Sequence, residues 1–157
     1  MRRFRLFLQM SPVERRITIE ALLLPVVIPL GFNLVGVPRT QAWLRRWTLR
    51  RKTRCEVATG DLVGMARRAQ GRVSRTTGIL GPCLVRSLTL WAILTRHGIE
   101  VSLQVGFRKR DGKFEGHAWV EHDQSPLNEN ESEARTYTVS EQPACFDLWR
   151  KQGRVIS

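Results

Sequence analysis

Cys83 and His117 are the two residues of this 157-residue chain whose types and settings combine into chemistry. A thiolate attacks acyl carbons readily, and the partial positive charge and unpaired N–H groups of a helix start favour it over the thiol. Gly81 and Pro82 break what precedes, so a helix is expected to open at or beside Cys83. A neighbouring imidazole would complete the activation, and the same helix start can donate hydrogen bonds to the oxyanion formed during acyl transfer. A third group should then orient the ring. Asp123, in the turn expected after His117, and Asn128 or Glu129, where the next extended segment begins, stand at usable separations. Residue types alone leave that choice open, and a lone cysteine near a helix start is more often a small core residue than a nucleophile.

The elements around these residues must position them. Leu84, Leu88, Trp91 and Leu94 recur at helical spacing, Arg96 and His97 fall in the last turn, and Gly98 offers a left-handed cap. Ile99, Val101, Leu103, Val105 and Phe107 then alternate with polar or small residues at the period of a half-buried strand. Asp111-Gly112 reads as a tight turn. From Phe114 to Glu121 the chain alternates again, with His117 and Trp119 on one face. A hairpin is thus expected to present His117 from its second strand.

Upstream, Ser11, Pro12 and Glu14 read as a helix cap, a first helical proline and an acidic first turn. The following stretch, Ala21 to Val37, is apolar except for Asn33 and is interrupted by Pro25 and Pro29. A membrane-spanning helix needs roughly 20 apolar residues. This stretch is shorter and flanked by arginines on both sides, so packing on the core is the reading, with membrane contact as the alternative. Gly36 to Thr40 lacks a small-residue cleavage pattern, and no signal peptide is read. Between Arg39 and Arg54 lie seven basic residues and no acidic one. Trp43, Leu44, Trp47 and Leu49 are expected to pack inward from that segment while its arginines face water. Asp61 to Ala69 reads as a short helix and Gly71 to Gly78 as a basic loop bordering the cleft. After Glu129, residues 131–134 read as loop, Thr136 to Val139 as a β segment, and Phe146, Leu148 and Trp149 as a last packed piece.

Composition bounds the function classes. With 26 Lys+Arg against 14 Asp+Glu, the net charge of +12 implies an acidic partner surface, nucleic acid or anionic lipid. The three cysteines, Cys55, Cys83 and Cys145, are odd in number and far apart, which argues against a disulfide framework or a structural zinc site and for a reducing cytoplasm. His97, His117 and His122 lack metal-ligand spacing with one another. No metal or organic cofactor is expected.

Four runs carry a resemblance: Cys83-Leu84-Val85-Arg86-Ser87-Leu88, Arg96-His97-Gly98-Ile99, Val105-Gly106-Phe107-Arg108 and His117-Ala118-Trp119-Val120-Glu121. Together they resemble the transglutaminase-like leader peptidases of lasso-peptide biosynthesis, over about a third of the chain. The resemblance implies a papain-type triad with Cys83 as nucleophile and His117 as base. The family's third residue is an Asp at the place of Glu129, after a run that reads here Pro126-Leu127-Asn128. Glu is one methylene longer, so its extra reach would have to be absorbed by a shift of that strand.

The reading is an α+β fold with a papain-like, transglutaminase-like core. Residues 1–70 would form an N-terminal helical part packed on a protease core at 71–157, with an antiparallel sheet carrying His117 and Glu129. The resemblance further implies cleavage of a lasso-peptide precursor at the leader–core junction, a small leader-binding recognition protein and a separate asparagine-synthetase-like cyclase. Nucleic acid is not expected as a partner of such an enzyme. Two other readings stand beside this one: a non-catalytic scaffold of the same fold that holds a leader or partner, and a basic protein that binds membrane surfaces or nucleic acid.

Overall fold

A computed structural model describes residues 10–49, 58–77 and 83–140. The first helix, α1 (Pro12–Leu34), opens on a complete capping box. Ser11 Oγ accepts from the Glu14 N–H (3.2 Å), and Glu14 Oε2 accepts from the Ser11 N–H (3.0 Å). Pro25 and Pro29 lie inside α1 rather than ending it. Each removes one i→i−4 hydrogen bond, and tertiary packing of Ile17, Ala21, Leu24, Pro25 and Ile28 holds the helix together across them.

Gly36, at φ +82°, turns the chain into α2 (Val37–Leu49). Close approach there depends on Gly31, where a Cβ would lie 2.8 Å from Thr40 of α2. Leu44 of α2 is buried and Trp47 half-buried as expected, whereas Trp43 and Leu49 are exposed. The inward reading therefore holds for one side of α2 only. Helix α3 (Thr59–Thr77) is longer than the sequence pattern suggested, because the stretch expected as a loop from Gly71 continues the helix to Thr77. Polar and basic residues solvate a helix as readily as a loop, so composition did not separate the two.

Helix α4 (Cys83–Arg96) organises the rest. It packs against α1, α2 and α3 and against the sheet, and Leu90, Ala92, Ile93 and Leu94 are fully buried in the shared core. Gly98, at φ +86°, caps it in the left-handed conformation. Its C-terminal end is tied to the helical layer through Glu20 of α1. Arg96 Nε lies 2.9 Å and His97 Nε2 3.3 Å from the Glu20 carboxylate, and Arg96 also donates to the Trp47 carbonyl (3.1 Å) and lies over the Trp47 ring (3.9 Å).

Four strands follow: β1 (Ser102–Arg110), β2 (Lys113–His122), β3 (Ser125–Pro126) and β4 (Thr138–Val139), in the antiparallel order β3-β2-β1-β4. Asp111 and Gly112, at φ 51° and 78°, form the two-residue hairpin turn between β1 and β2 and pair Arg110 with Lys113. A second two-residue turn, Asp123-Gln124 at φ 48° and 62°, folds β3 back on β2. Residues 131–134, read from sequence as loop, form a single-turn helix α5 (Glu131–Ala134) before β4. The expected packing of Phe146, Leu148 and Trp149 and the surroundings of Cys55 and Cys145 lie outside the described residues.

Candidate active site

Cys83 is the first residue of α4, half-buried and not in a disulfide. His117 sits in β2 opposite Gly106 of β1, and its ring lies within interaction range of the Cys83 side chain. The other partner of the imidazole is Glu129, whose Oε2 accepts from His117 Nε2 at 2.7 Å. With Nε2 so engaged, Nδ1 is the nitrogen left for the thiol. The three residues singled out in the sequence are therefore gathered into one chain of contacts.

Glu129 reaches His117 from an unexpected place. It lies not on a strand of the sheet but in the bend between β3 and α5. The tight Asp123-Gln124 turn brings that bend alongside β2, where the Leu127 N–H donates to the Val120 carbonyl (2.8 Å). Asp123 itself points into solvent, with a side chain 90% exposed and His122 beside it at 3.5 Å. It does not approach His117 as an orienting group would.

Asn128, the other candidate, serves a different purpose. Its Oδ1 accepts from the Val120 N–H (2.8 Å), and its Nδ2 donates to Ser87 Oγ (2.9 Å). The Ser87 hydroxyl in turn donates to the Ala118 carbonyl (2.8 Å) and is fully buried. Ser87 is one helical turn beyond Cys83, Ala118 follows His117, and Asn128 precedes Glu129. One hydroxyl thus joins the nucleophile helix, the histidine strand and the acid-bearing bend. The signal for Ser87 was present as a polar residue on the buried side of a largely aliphatic helix, a position that demands a partner.

Three rings cluster at the imidazole. His117 lies 5.2 Å from Tyr137 and 6.1 Å from Trp119, centroid to centroid, and Trp119 lies 6.1 Å from Tyr137. The His117 ring is near-parallel to both the Trp119 and the Tyr137 rings, at 20° and 27°. Trp119 is anchored by its indole N–H to Glu121 Oε1 (2.7 Å), and Gln104 holds the other oxygen of that carboxylate (3.1 Å). Arg108 lies over the Tyr137 ring (4.4 Å) and is itself held by Glu115 and Glu133, each at 2.7 Å. The cluster needs Gly106. A Cβ there would fall 2.8 Å from Tyr137 Cβ, 3.0 Å from the Trp119 ring and 3.1 Å from the Thr138 carbonyl. Tyr137 lies in a segment where the sequence pattern is weak and was not singled out.

The electrostatics favour an ion pair at the ring. The interaction with Cys83 is the largest influence on His117, burial opposes it, and the charges of Cys83 and Glu129 add to it, so the imidazole titrates above its ordinary value near 6.5. Burial works against charge on Glu129, but the Asn130 N–H, the His117 ring and the positive charge of Arg86 outweigh it. The carboxyl consequently titrates below its ordinary value near 4.5. A half-buried thiol at a helix start, beside an imidazole that favours its charged form, can supply a nucleophile and return a proton to a leaving group.

Compared with known proteins, the chain matches no curated protein and no solved structure. A family model does match residues 32–142, more than two thirds of the chain and the part that holds Cys83, His117 and Glu129. A neighbouring Cys and His, delivered by a helix start and the second strand of an antiparallel sheet, thus stand inside the matched region, and the chain belongs to the transglutaminase-like superfamily.

Proposed function

We propose that the protein is a cysteine peptidase that removes the leader from a lasso-peptide precursor. One observation carries the chemistry: Cys83 at the start of α4 lies within interaction range of His117, whose Nε2 holds Glu129 at 2.7 Å. The superfamily, which includes cysteine peptidases, supports the reaction class. The choice of substrate rests on the resemblance of the four runs that begin at Cys83, Arg96, Val105 and His117 to the lasso leader peptidases.

In this reading Cys83 Sγ attacks the carbonyl carbon of the scissile bond. The backbone N–H groups at the start of α4 face the oxyanion. His117, as imidazolium, gives its proton to the leaving amine as the C–N bond breaks, and a thioester to Cys83 remains. Water, deprotonated by His117, then attacks the thioester and restores the thiol, leaving a carboxylate on the leader. Glu129 holds the ring orientation through both half-reactions. The leader is delivered by a small recognition protein, and a separate cyclase closes the ring of the released core peptide.

The test is cleavage of a precursor peptide, followed by mass spectrometry, with and without the leader-binding protein. Cleavage is expected to be slow on the precursor alone and faster with the partner, because tethering raises the local substrate concentration. Cys83→Ala should abolish it, while Cys55→Ala and Cys145→Ala leave it largely intact. Cleavage retained in a folded Cys83→Ala variant overturns the mechanism. Equal rates with and without the partner remove the need for it.

A further inference from the structure

The face of α1 turned away from the core is as apolar as the face turned toward it. Ile19, Leu22, Leu23, Val26, Val27, Leu30 and Leu34 recur at i, i+3, i+4 spacing and are between 38% and 80% exposed. From Ile19 to Leu34 this stripe runs roughly 23 Å along the helix. A soluble monomer seldom leaves so long a continuous row of aliphatic side chains in water. Ile19 to Leu30 also precede the family-matched region, so most of the stripe lies outside it.

Apart from two glutamates, the charged residues of α1 and α2 are all basic. Arg15 and Arg16 stand at the N-terminal end of the stripe, and Arg39, Arg45 and Arg46 stand on α2. The acidic residues of α1 and α2 are Glu14 and Glu20, and both are committed within the protein. Glu14 closes the capping box, and Glu20 is buried against Arg16, Arg96 and His97. An apolar stripe on a helix that carries arginines at its N-terminal end and is followed by a basic helix is complementary to an anionic bilayer surface, with aliphatic side chains among the acyl chains and guanidinium groups among the phosphates. A protein partner fits less well. Specific protein interfaces carry about one hydrogen bond per 100–200 Å², and within the stripe only Asn33 offers a side-chain donor or acceptor.

We infer that the protein docks peripherally on anionic lipid membranes through the exposed face of α1. The helix is long and apolar enough to cross a membrane by length and composition. Its buried face nonetheless belongs to the core, and crossing would tear Glu20 from Arg96 and His97. It therefore lies in the interface plane. Docking of this kind is independent of the peptidase reading.

The test is flotation of the full-length protein with vesicles of phosphatidylcholine alone or mixed with phosphatidylglycerol. Binding is expected to the anionic vesicles and at least tenfold weaker to the zwitterionic ones, with partial loss at high salt. Leu23→Gln/Leu30→Gln and Leu23→Glu/Leu30→Glu change exposed positions, so the fold should persist. The first pair should weaken binding about tenfold and the second abolish it, with the alkylation rate of Cys83 unchanged. Failure of the parent to bind anionic vesicles, or undiminished binding by the glutamate pair, overturns the inference. A parent that is dimeric by light scattering and becomes monomeric in the glutamate pair assigns the stripe to a second copy of the chain and likewise overturns it.

Discussion

Replacing Ser87 with alanine should disable the site without touching any of its reacting groups. The hydroxyl donates to the Ala118 carbonyl at 2.8 Å and accepts from Asn128 Nδ2 at 2.9 Å. Its loss strands one acceptor beside His117 and one donor beside Glu129. A buried polar group left unpaired costs about 1–3 kcal/mol. Ala118 is fully buried whereas Asn128 is half-buried and can turn to water, so the total should lie near about 2 kcal/mol rather than at the sum of two full penalties. For a chain of this size that lowers Tm by roughly 4–8 °C. The larger effect is on geometry, because a displacement of about 1 Å in a reacting group can cost about 100-fold in rate. Two assays separate the effects. Alkylation of Cys83 by iodoacetamide reports the Cys83–His117 contact without needing a peptide substrate. It should fall about tenfold, and peptide cleavage about 100-fold. Asn128→Ala should behave similarly, and the double variant should lose less stability than the sum of the singles, as expected for residues sharing one hydrogen bond. A Ser87→Ala protein that melts lower yet alkylates and cleaves within twofold of the parent would refute the reasoning, since the clip would then stabilise the fold without positioning the site.

Three further changes probe the groups around the ring. Glu129→Ala should lower cleavage by orders of magnitude, Glu129→Asp should recover part of it and Asp123→Ala should change little; the opposite ranking in a cleavage assay would move the orienting role to the turn. The alkaline limb of the pH–rate profile should lie above the ordinary imidazole value of 6.5, and Glu129→Gln should move it to lower pH, because the Glu129 hydrogen bond and charge help raise His117. In stability, the His117 contribution is present below 6.5 and lost as pH rises through its higher folded value, and the Glu129 contribution is present above 4.5 and lost as pH falls through its lower one. The difference in Tm between parent and Glu129→Gln should therefore be largest between those two values and shrink on either side. Gly106→Ala should displace Tyr137 and the β4 edge, since the added Cβ meets Tyr137 Cβ and the Thr138 carbonyl inside contact distance; an alanine variant with unchanged alkylation and near-UV circular dichroism would remove the ring cluster from the site.

Local pattern carried much of this architecture. The helix cap at Ser11, the Cys83 helix with its Gly98 cap, the Asp111-Gly112 turn and the alternation through His117 are each set by neighbours within a few residues, and each is found as read. Elsewhere the decisive partner was distant in sequence. Nothing local to Gly71 says whether a polar stretch continues a helix, and nothing local to Trp43 or Leu49 says which side of α2 meets the core. Ser87 depends on partners 31 and 41 residues away. Gly106 was visible only as part of a family-like run, and its reason, room for Tyr137 and Trp119, exists only once β4 is in place.

Glu129 shows why the longer acid suits this particular backbone. Had it stood on a strand beside β2, as the sequence suggested, its extra methylene would have required the strand to move. From the bend after β3 the problem changes. Oε1 accepts from the N–H of the next residue, Asn130, at 2.9 Å, while Oε2 reaches His117 at 2.7 Å. The carboxylate is thus held at one oxygen by its own backbone and presents the other to the ring, so the added length is taken up by a local hydrogen bond rather than by sheet distortion. Asn128 fixes the same bend from the adjacent position through Val120 and Ser87. An aspartate at 129 would have to give up one of the two contacts, and the Asn130 N–H is the one that water can replace, because it faces the exposed side of the bend. The ring contact can then survive with a looser carboxylate, which is why partial rather than full recovery is expected from Glu129→Asp.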